Sequence, residues 1–185
     1  MSKYDPEIVM EFYANAWPTK EGVMNKRSWV RGQWIPYDED AINQFPGHPL
    51  ILEDGQHCEY AERRSQISGF DEEAISQLLC SLGQDFVRSV TERRVWIMRT
   101  RMTTLTQIWM TLPLSNILPS DHNSNLPLPK CQFIYAILAQ ISVYVAQLIS
   151  DAINQFVGIA PSRHPVDPEK SNRALGFLAL ITGLC

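Results

Sequence analysis

A chain of 185 residues that is 45% hydrophobic and 19% charged has the material for a core of its own, which excludes global disorder. A formal net charge of −4 is mildly acidic and gives no whole-chain argument for nucleic-acid affinity. The four cysteines, at 58, 80, 131 and 185, are irregularly spaced with no C-x-x-C pair, and the start Met-Ser-Lys-Tyr-Asp-Pro carries no apolar signal region. Disulfide scaffolds and zinc ribbons are thereby poorly supported, and the expected setting is reducing and intracellular, with cytoplasm and nucleus not separated.

Asp5-Pro6-Glu7 opens a helix with a cap, a proline in the first turn and an acid beside it; Ile8, Val9, Phe12 and Tyr13 form its apolar face, and Trp17-Pro18 closes it. Residues 28–37 read as a β-hairpin, with Trp29-Val30-Arg31 and Trp34-Ile35 either side of a Gly32-Gln33 turn; an isolated hairpin is marginal, so it is expected to pack on helices. Asp38 caps a short helix with Ala41, Ile42 and Phe45 inward, broken by Pro46-Gly47-His48-Pro49. Residues 53–69 are polar and aperiodic, which predicts a long surface loop. Asp71-Glu72-Glu73 starts a helix whose expected core face is Ala74, Ile75, Leu78, Leu79 and Leu82, with Gly83 as its C-terminal cap.

The stretch from Thr103 to Phe156 organises the rest. Thr103 and Thr104 precede Leu105, Ile108, Trp109 and Leu112 at helical spacing, and Pro113 is expected to end or bend that helix. A Pro-rich elbow spans 119–129, with Pro129 suited to the first turn of the next helix. From Lys130 two apolar stripes follow, Phe133 to Ile141 and Val145 to Phe156; one long helix or two meeting at Gln140–Ser142 fit equally, with Ser142 as a cap in the second case. The longest unbroken apolar run, Phe133 to Ala139, is far short of the roughly 20 residues of a membrane span, which predicts core helices. Gly158 and Pro161 stop the pattern, Ser162–Lys170 reads as a polar loop, and Ser171 as the cap of a last helix that runs apolar to Leu184-Cys185, as if cut. The expected fold is mainly α, a single helical domain over 1–185 with the small hairpin packed on it.

Chemistry-bearing motifs are sparse. His57-Cys58, with His48 near in sequence, lacks metal-ligand spacing and reads as a solvated loop. There is no G-x-S-x-G, no H-E-x-x-H and no Gly-rich phosphate loop, and a Cys–His dyad such as Cys80 or Cys131 with His122 carries no signal. No catalytic residue, cofactor or metal is assigned. The concentrated basic segment runs from Arg88 to Arg101: Arg88, Arg93, Arg94, Arg99 and Arg101 against Glu92. Arg93, Arg94, Arg99 and Arg101 with Trp96 suit phosphate contact and base stacking; the competing reading is a solvated basic edge with Trp96 and Ile97 in the core. Cys80 and Cys131 read as small core residues.

Several blocks in order carry a resemblance: Phe12-Tyr13-Ala14-Asn15, Ser28-Trp29-Val30-Arg31-Gly32, Ala41-Ile42-Asn43-Gln44-Phe45, Gln77-Leu78-Leu79-Cys80, Trp109, Leu114 through Ser124, then Leu175-Gly176-Phe177 and Ala179 through Cys185. In this order the chain resembles the putative plant transposon protein domain, found in plant retroelement polyproteins and akin to the first-reading-frame proteins of Athila-type elements. Pro46 and Leu178 depart from that pattern. The resemblance implies transposon origin and a mainly helical domain, and no enzymatic activity or site residue. Neither an Asp/Asp/Glu triad, an Asp-Thr/Ser-Gly, a Tyr-x-Asp-Asp nor a zinc knuckle is recognisable. The functional expectation is a non-enzymatic, Gag-like structural protein whose partners are itself and RNA or DNA, with no membrane and no small-molecule substrate. The alternatives are a nucleic-acid-binding module of a transposition complex and a nonfunctional relic fragment.

Overall fold

The computed structural model describes residues 5–16, 25–45, 49–53, 55–66, 69–117, 124–158 and 177–185. Among them the architecture is mainly helical, with eight α-helices and two small antiparallel sheets. The expectations at Trp17-Pro18, at Pro46, at residues 118–123 and from Pro161 to Ser171 lie outside the described residues. Two compact units are distinguished: Met1–Leu50 with Asn116–Pro119 and Val145–Cys185, and Ile51–Ser115 with Ser120–Tyr144.

In the first unit α1 spans Pro6–Asn15, and the Asp5 carboxylate accepts from the Glu7 and Ile8 N–H groups at its start. Its inner face buries Val9 and Phe12 completely. Strands β1 (Arg27–Val30) and β2 (Gln33–Pro36) pair antiparallel with Trp29 opposite Trp34. Arg31 and Gly32 both have positive φ, +47° and +86°, the turn whose twist matches a two-residue hairpin. Tyr37 N–H donates to the Lys26 carbonyl at 2.7 Å, which by alternation puts Arg27/Pro36 and Trp29/Trp34 at non-hydrogen-bonded positions. Pro36 thus sits where a strand needs no N–H. The hairpin is tied to α1 by Ser28 Oγ donating to the Phe12 carbonyl (2.6 Å), Asn15 Nδ2 to the Trp29 carbonyl (2.7 Å) and Arg31 N–H to Glu11 Oε1 (2.8 Å). Phe12 meets the buried Tyr37 ring edge-on at 5.4 Å. Helix α2 (Glu39–Gln44), capped by Asp38, buries Ile42 and lies against the long helix Val145–Gly158.

The second unit begins with a correction. Residues 53–69 are not a continuous loop: α3 forms at Glu59–Ser65 and buries Tyr60. Its N-cap residue, Cys58, makes no side-chain cap bond. The cap comes from Ser142, whose Oγ accepts from Glu59 N–H (3.1 Å) and whose carbonyl accepts from Tyr60 N–H (3.1 Å), 83 and 82 residues away. Cys58 is buried, not solvated, and its Sγ accepts from Tyr144 N–H at 3.3 Å. No local pattern announces a cap delivered from so far along the chain.

Helix α4 spans Glu72–Leu79 behind an Asp71 cap. It stops well short of Gly83, because Cys80 leaves the helix to bridge Met102. Strands β3 (Val87–Arg88), β4 (Arg94–Met98) and β5 (Asn125–Pro127) form one antiparallel sheet in that order, so the end of the expected elbow is a strand. Ile97 opposite Leu126 is its fully buried centre. A 3-10 turn at Arg99–Arg101 leads to α5, Thr104–Asn116, where Thr103 Oγ1 caps Thr106 N–H at 3.2 Å. The helix continues through Pro113, which therefore does not end it.

After Pro127, α6 runs over Leu128–Leu138 with proline in its first turn and buries Cys131, Phe133, Ile134 and Ala136. The choice between one helix and two is settled at Gln140, which takes φ +58°. Ile141 N–H returns to the Ala136 carbonyl (2.9 Å) and Gln140 N–H to Ile137 (3.2 Å), a Schellman closure. The next helix, α7, begins only at Val145 and belongs to the first unit, where it buries Ala146, Ile149, Ser150, Ala152 and Ile153; Ser142 does not cap it. Helix α8 (Leu178–Leu184) buries Ile181 and lies against α1. Among the described residues no helix is long and apolar enough to cross a membrane.

Periodicity misplaced two core faces. On α4 the buried residues are Ile75, Ser76 and Leu79, while Leu78 is exposed; Leu82, in the turn beyond, is fully exposed. On α5 Thr106 and Met110 are buried, while Leu105 and Ile108 are 53% and 54% exposed. Both inward hydroxyls have polar partners: Ser76 Oγ donates to Asp85 Oδ1 (2.8 Å), and Thr106 Oγ1 lies 2.8 Å from Thr103 Oγ1. With those bonds made, burying a hydroxyl costs little, and the leucine stripe can turn outward.

Candidate nucleic-acid interface

The five residues singled out on the basic segment have three different fates. Arg94, on β4, is 13% exposed and engaged by carboxylates. Its guanidinium pairs with Glu73 and, at 3.9 and 3.5 Å, with Glu72 and Asp85, and it lies 5.8 Å over the Phe86 ring. These partners raise its pKa against the opposing effect of burial. Arg101 is half-buried and donates to the Asp85 carbonyl at 3.0 Å. Arg93 and Arg99 are exposed and make no ion pair among the described residues. Trp96 is exposed on the strand between them, so it is not the core residue of the competing reading; Ile97 is.

Asp85 organises this arrangement, and the sequence gives it no prominence. Its carboxylate accepts from Ser76 Oγ, from Phe86 N–H (2.7 Å) and from Arg88 Nη2 (3.1 Å), and it faces Arg94. Burial pushes its pKa up, but the Phe86 N–H, the Ser76 hydroxyl and the two arginines outweigh that and hold it at about 2. Asp85 and the acids opening α4 thus absorb Arg88 and Arg94. Two guanidinium groups without an ion pair among the described residues and one exposed tryptophan remain on this segment, residue types suited to phosphate contact and base stacking.

A second aromatic–basic cluster was not singled out as a site by sequence. On the outer face of the β1–β2 hairpin Trp29 and Trp34 are 42% and 53% exposed, with ring centroids 5.2 Å apart in an edge-to-face pair. Arg27 lies 4.7 Å over the Trp34 ring and makes no ion pair among the described residues. The signal was available: a two-residue turn at Arg31-Gly32 with period-two alternation places positions 27, 29, 34 and 36 on one face.

Among the described residues no group of three or more His, Cys, Asp or Glu is placed to hold a metal ion. Cys80 and Cys131 are buried, and burial raises both thiol pKa values. No curated protein and no solved structure matches the chain. A family model does, the one described as "Putative plant retrotransposon-related domain", over residues 1–185. With the whole length matched, the chain belongs to this plant retrotransposon-related family.

Proposed function

We propose that this retrotransposon-related chain is a non-enzymatic structural protein, Gag-like in role, that associates with copies of itself. The supporting observation is the outward turn of two apolar stripes. Leu78 on α4 and Leu105 and Ile108 on α5 occupy positions that helical periodicity would assign to a core, yet they face solvent, as does Leu82. The two elements are held together: Ser81 N–H donates to the Arg101 carbonyl (2.8 Å) and Thr103 N–H to the Leu79 carbonyl (3.0 Å). An exposed apolar surface on rigid elements is what an assembly interface requires. Size exclusion with light scattering on the full chain is the test. Oligomers are expected that persist without nucleic acid and dissociate in the Leu105→Glu, Ile108→Glu double variant; a wild-type monomer at all concentrations would end this reading.

A second reading, a nucleic-acid-binding module, is favoured by the exposed Arg93 and Arg99, which make no ion pair among the described residues, and by the exposed Trp96 between them in sequence. Binding would then fall steeply with salt, and Arg93→Ala with Arg99→Ala would reduce the slope of log K against log salt by about two. An unaltered slope in that double variant excludes the site.

A further inference from the structure

We infer that the outer face of the β1–β2 hairpin is a stacking site for single-stranded nucleic acid, separate in its residues from the β4 arginines and independent of the assembly reading. The argument starts from what this face displays. Register puts Arg27, Trp29, Trp34 and Pro36 on one side of the ribbon, with two aromatic faces and a cation and no carboxylate among them. Inward-facing Ser28, Val30 and Ile35 are buried, and Ser28 bonds to α1, so the ribbon is fixed from behind and the tryptophans are presented by a rigid support.

Charge complementarity selects the ligand. The neighbouring cations are taken by acids: Lys26 by Glu39 (2.6 Å), and Arg31 by Asp5 and Glu7 (3.4 and 3.7 Å), while Glu11 accepts from the Arg31 backbone. Arg27 is the cation here that makes no ion pair among the described residues, and its present partner is the exposed Trp34 ring, a weak contact in water. A base that stacks on the Trp34 ring replaces that contact, and the displaced guanidinium is within one side chain's reach of the phosphate the base brings with it. A duplex cannot do the same, because its bases are stacked on one another and offer no free face.

The test is fluorescence anisotropy of a short labelled oligouridylate titrated with the full chain, beside a duplex of matched length. The single strand is expected to bind more tightly than the duplex. Trp34→Ala is expected to weaken it about 5-fold or more, with most of the affinity retained in Trp34→Phe, which keeps a ring to stack on. Arg27→Ala is expected to lower the salt slope by about 0.7, one phosphate contact on a single strand. Circular dichroism checks that each variant is folded; should Trp34→Ala fail to fold, the Arg27→Ala slope and the preference for single strand decide. An unchanged slope in Arg27→Ala, wild-type affinity in a folded Trp34→Ala, or equal binding of the duplex overturns the proposal. So does loss of binding confined to the Arg93→Ala, Arg99→Ala variant, which would place the contact on β4. Competition by a proline-rich peptide that binds in place of the oligonucleotide would make the hairpin face a peptide groove and likewise overturn it.

Discussion

The hairpin and the three-stranded sheet both set tryptophan beside arginine, and neighbouring carboxylates decide what each arginine can do. On β4 the sequence shows the larger basic surplus, but Glu72, Glu73 and Asp85 claim Arg94, Asp85 claims Arg88, and the Asp85 carbonyl claims Arg101. On the outer face of the hairpin there is one arginine, Arg27, and no acid among the described residues takes it. A local charge count therefore overstates the first region and overlooks the second. What a ligand meets is the charge left after internal pairing, and that depends on contacts such as Arg94–Glu73, 21 residues apart.

The largest expected effect breaks this contrast from the structural side. Arg94→Ala removes a guanidinium that is 13% exposed from three carboxylates that are 39–60% exposed and should cost about 1–2 kcal/mol of stability in a denaturant titration. Arg27→Ala, which removes a guanidinium from an exposed ring, should cost less than about 1 kcal/mol in the same titration. Equal losses would mean that the two arginines are not used differently. The pH dependence sharpens the comparison further. Asp85 is held at about 2 in the folded chain, so its contribution is complete above the ordinary carboxylate range and is lost as pH falls from near 4 through 2. Because the side chain is more than a third exposed, the contribution is on the order of 1 kcal/mol after solvent screening. Asp85→Asn should flatten that acid limb, whereas Arg27→Ala should leave it as it is. The smallest effect is at the helix end: Gln140→Gly relieves an exposed residue of its left-handed backbone and should add about 0.5–1 kcal/mol, seen as a higher denaturation midpoint with an unchanged slope.

Much of the fold was legible because its signals are local. The Asp5 and Asp71 caps, the Gly32 turn, the proline opening α6 and the apolar run from Phe133 are each written within a few residues. The failures rest on contacts that no local pattern announces. Helix α3 takes its cap from Ser142, and Ser76 turns inward because Asp85 receives its hydroxyl. Leu78, Leu105 and Ile108 were read as core because periodicity reports that a helix has an apolar face and not which neighbour covers it. Of the candidate site, Arg93, Trp96 and Arg99 stand as exposed groups, while Arg94 and Arg101 are drawn into the structure around Asp85.

The remote cap also fixes an order of events during synthesis. Glu59 and Tyr60 leave the ribosome with their N–H groups unanswered, and Ser142 follows 83 residues behind Glu59, roughly 4–17 s later at ordinary elongation rates. Over that interval α3 is a seven-residue segment without a cap, too short to hold itself helical. Helix α4, at eight residues, is almost as short, but its cap is its own Asp71 and does not wait on residue 142. Amide protection followed on chains stalled before and after residue 142 should therefore show α4 closing first and α3 only once the second length is reached, so the nascent chain exposes Tyr60 for longer than any neighbour in the same stretch would suggest.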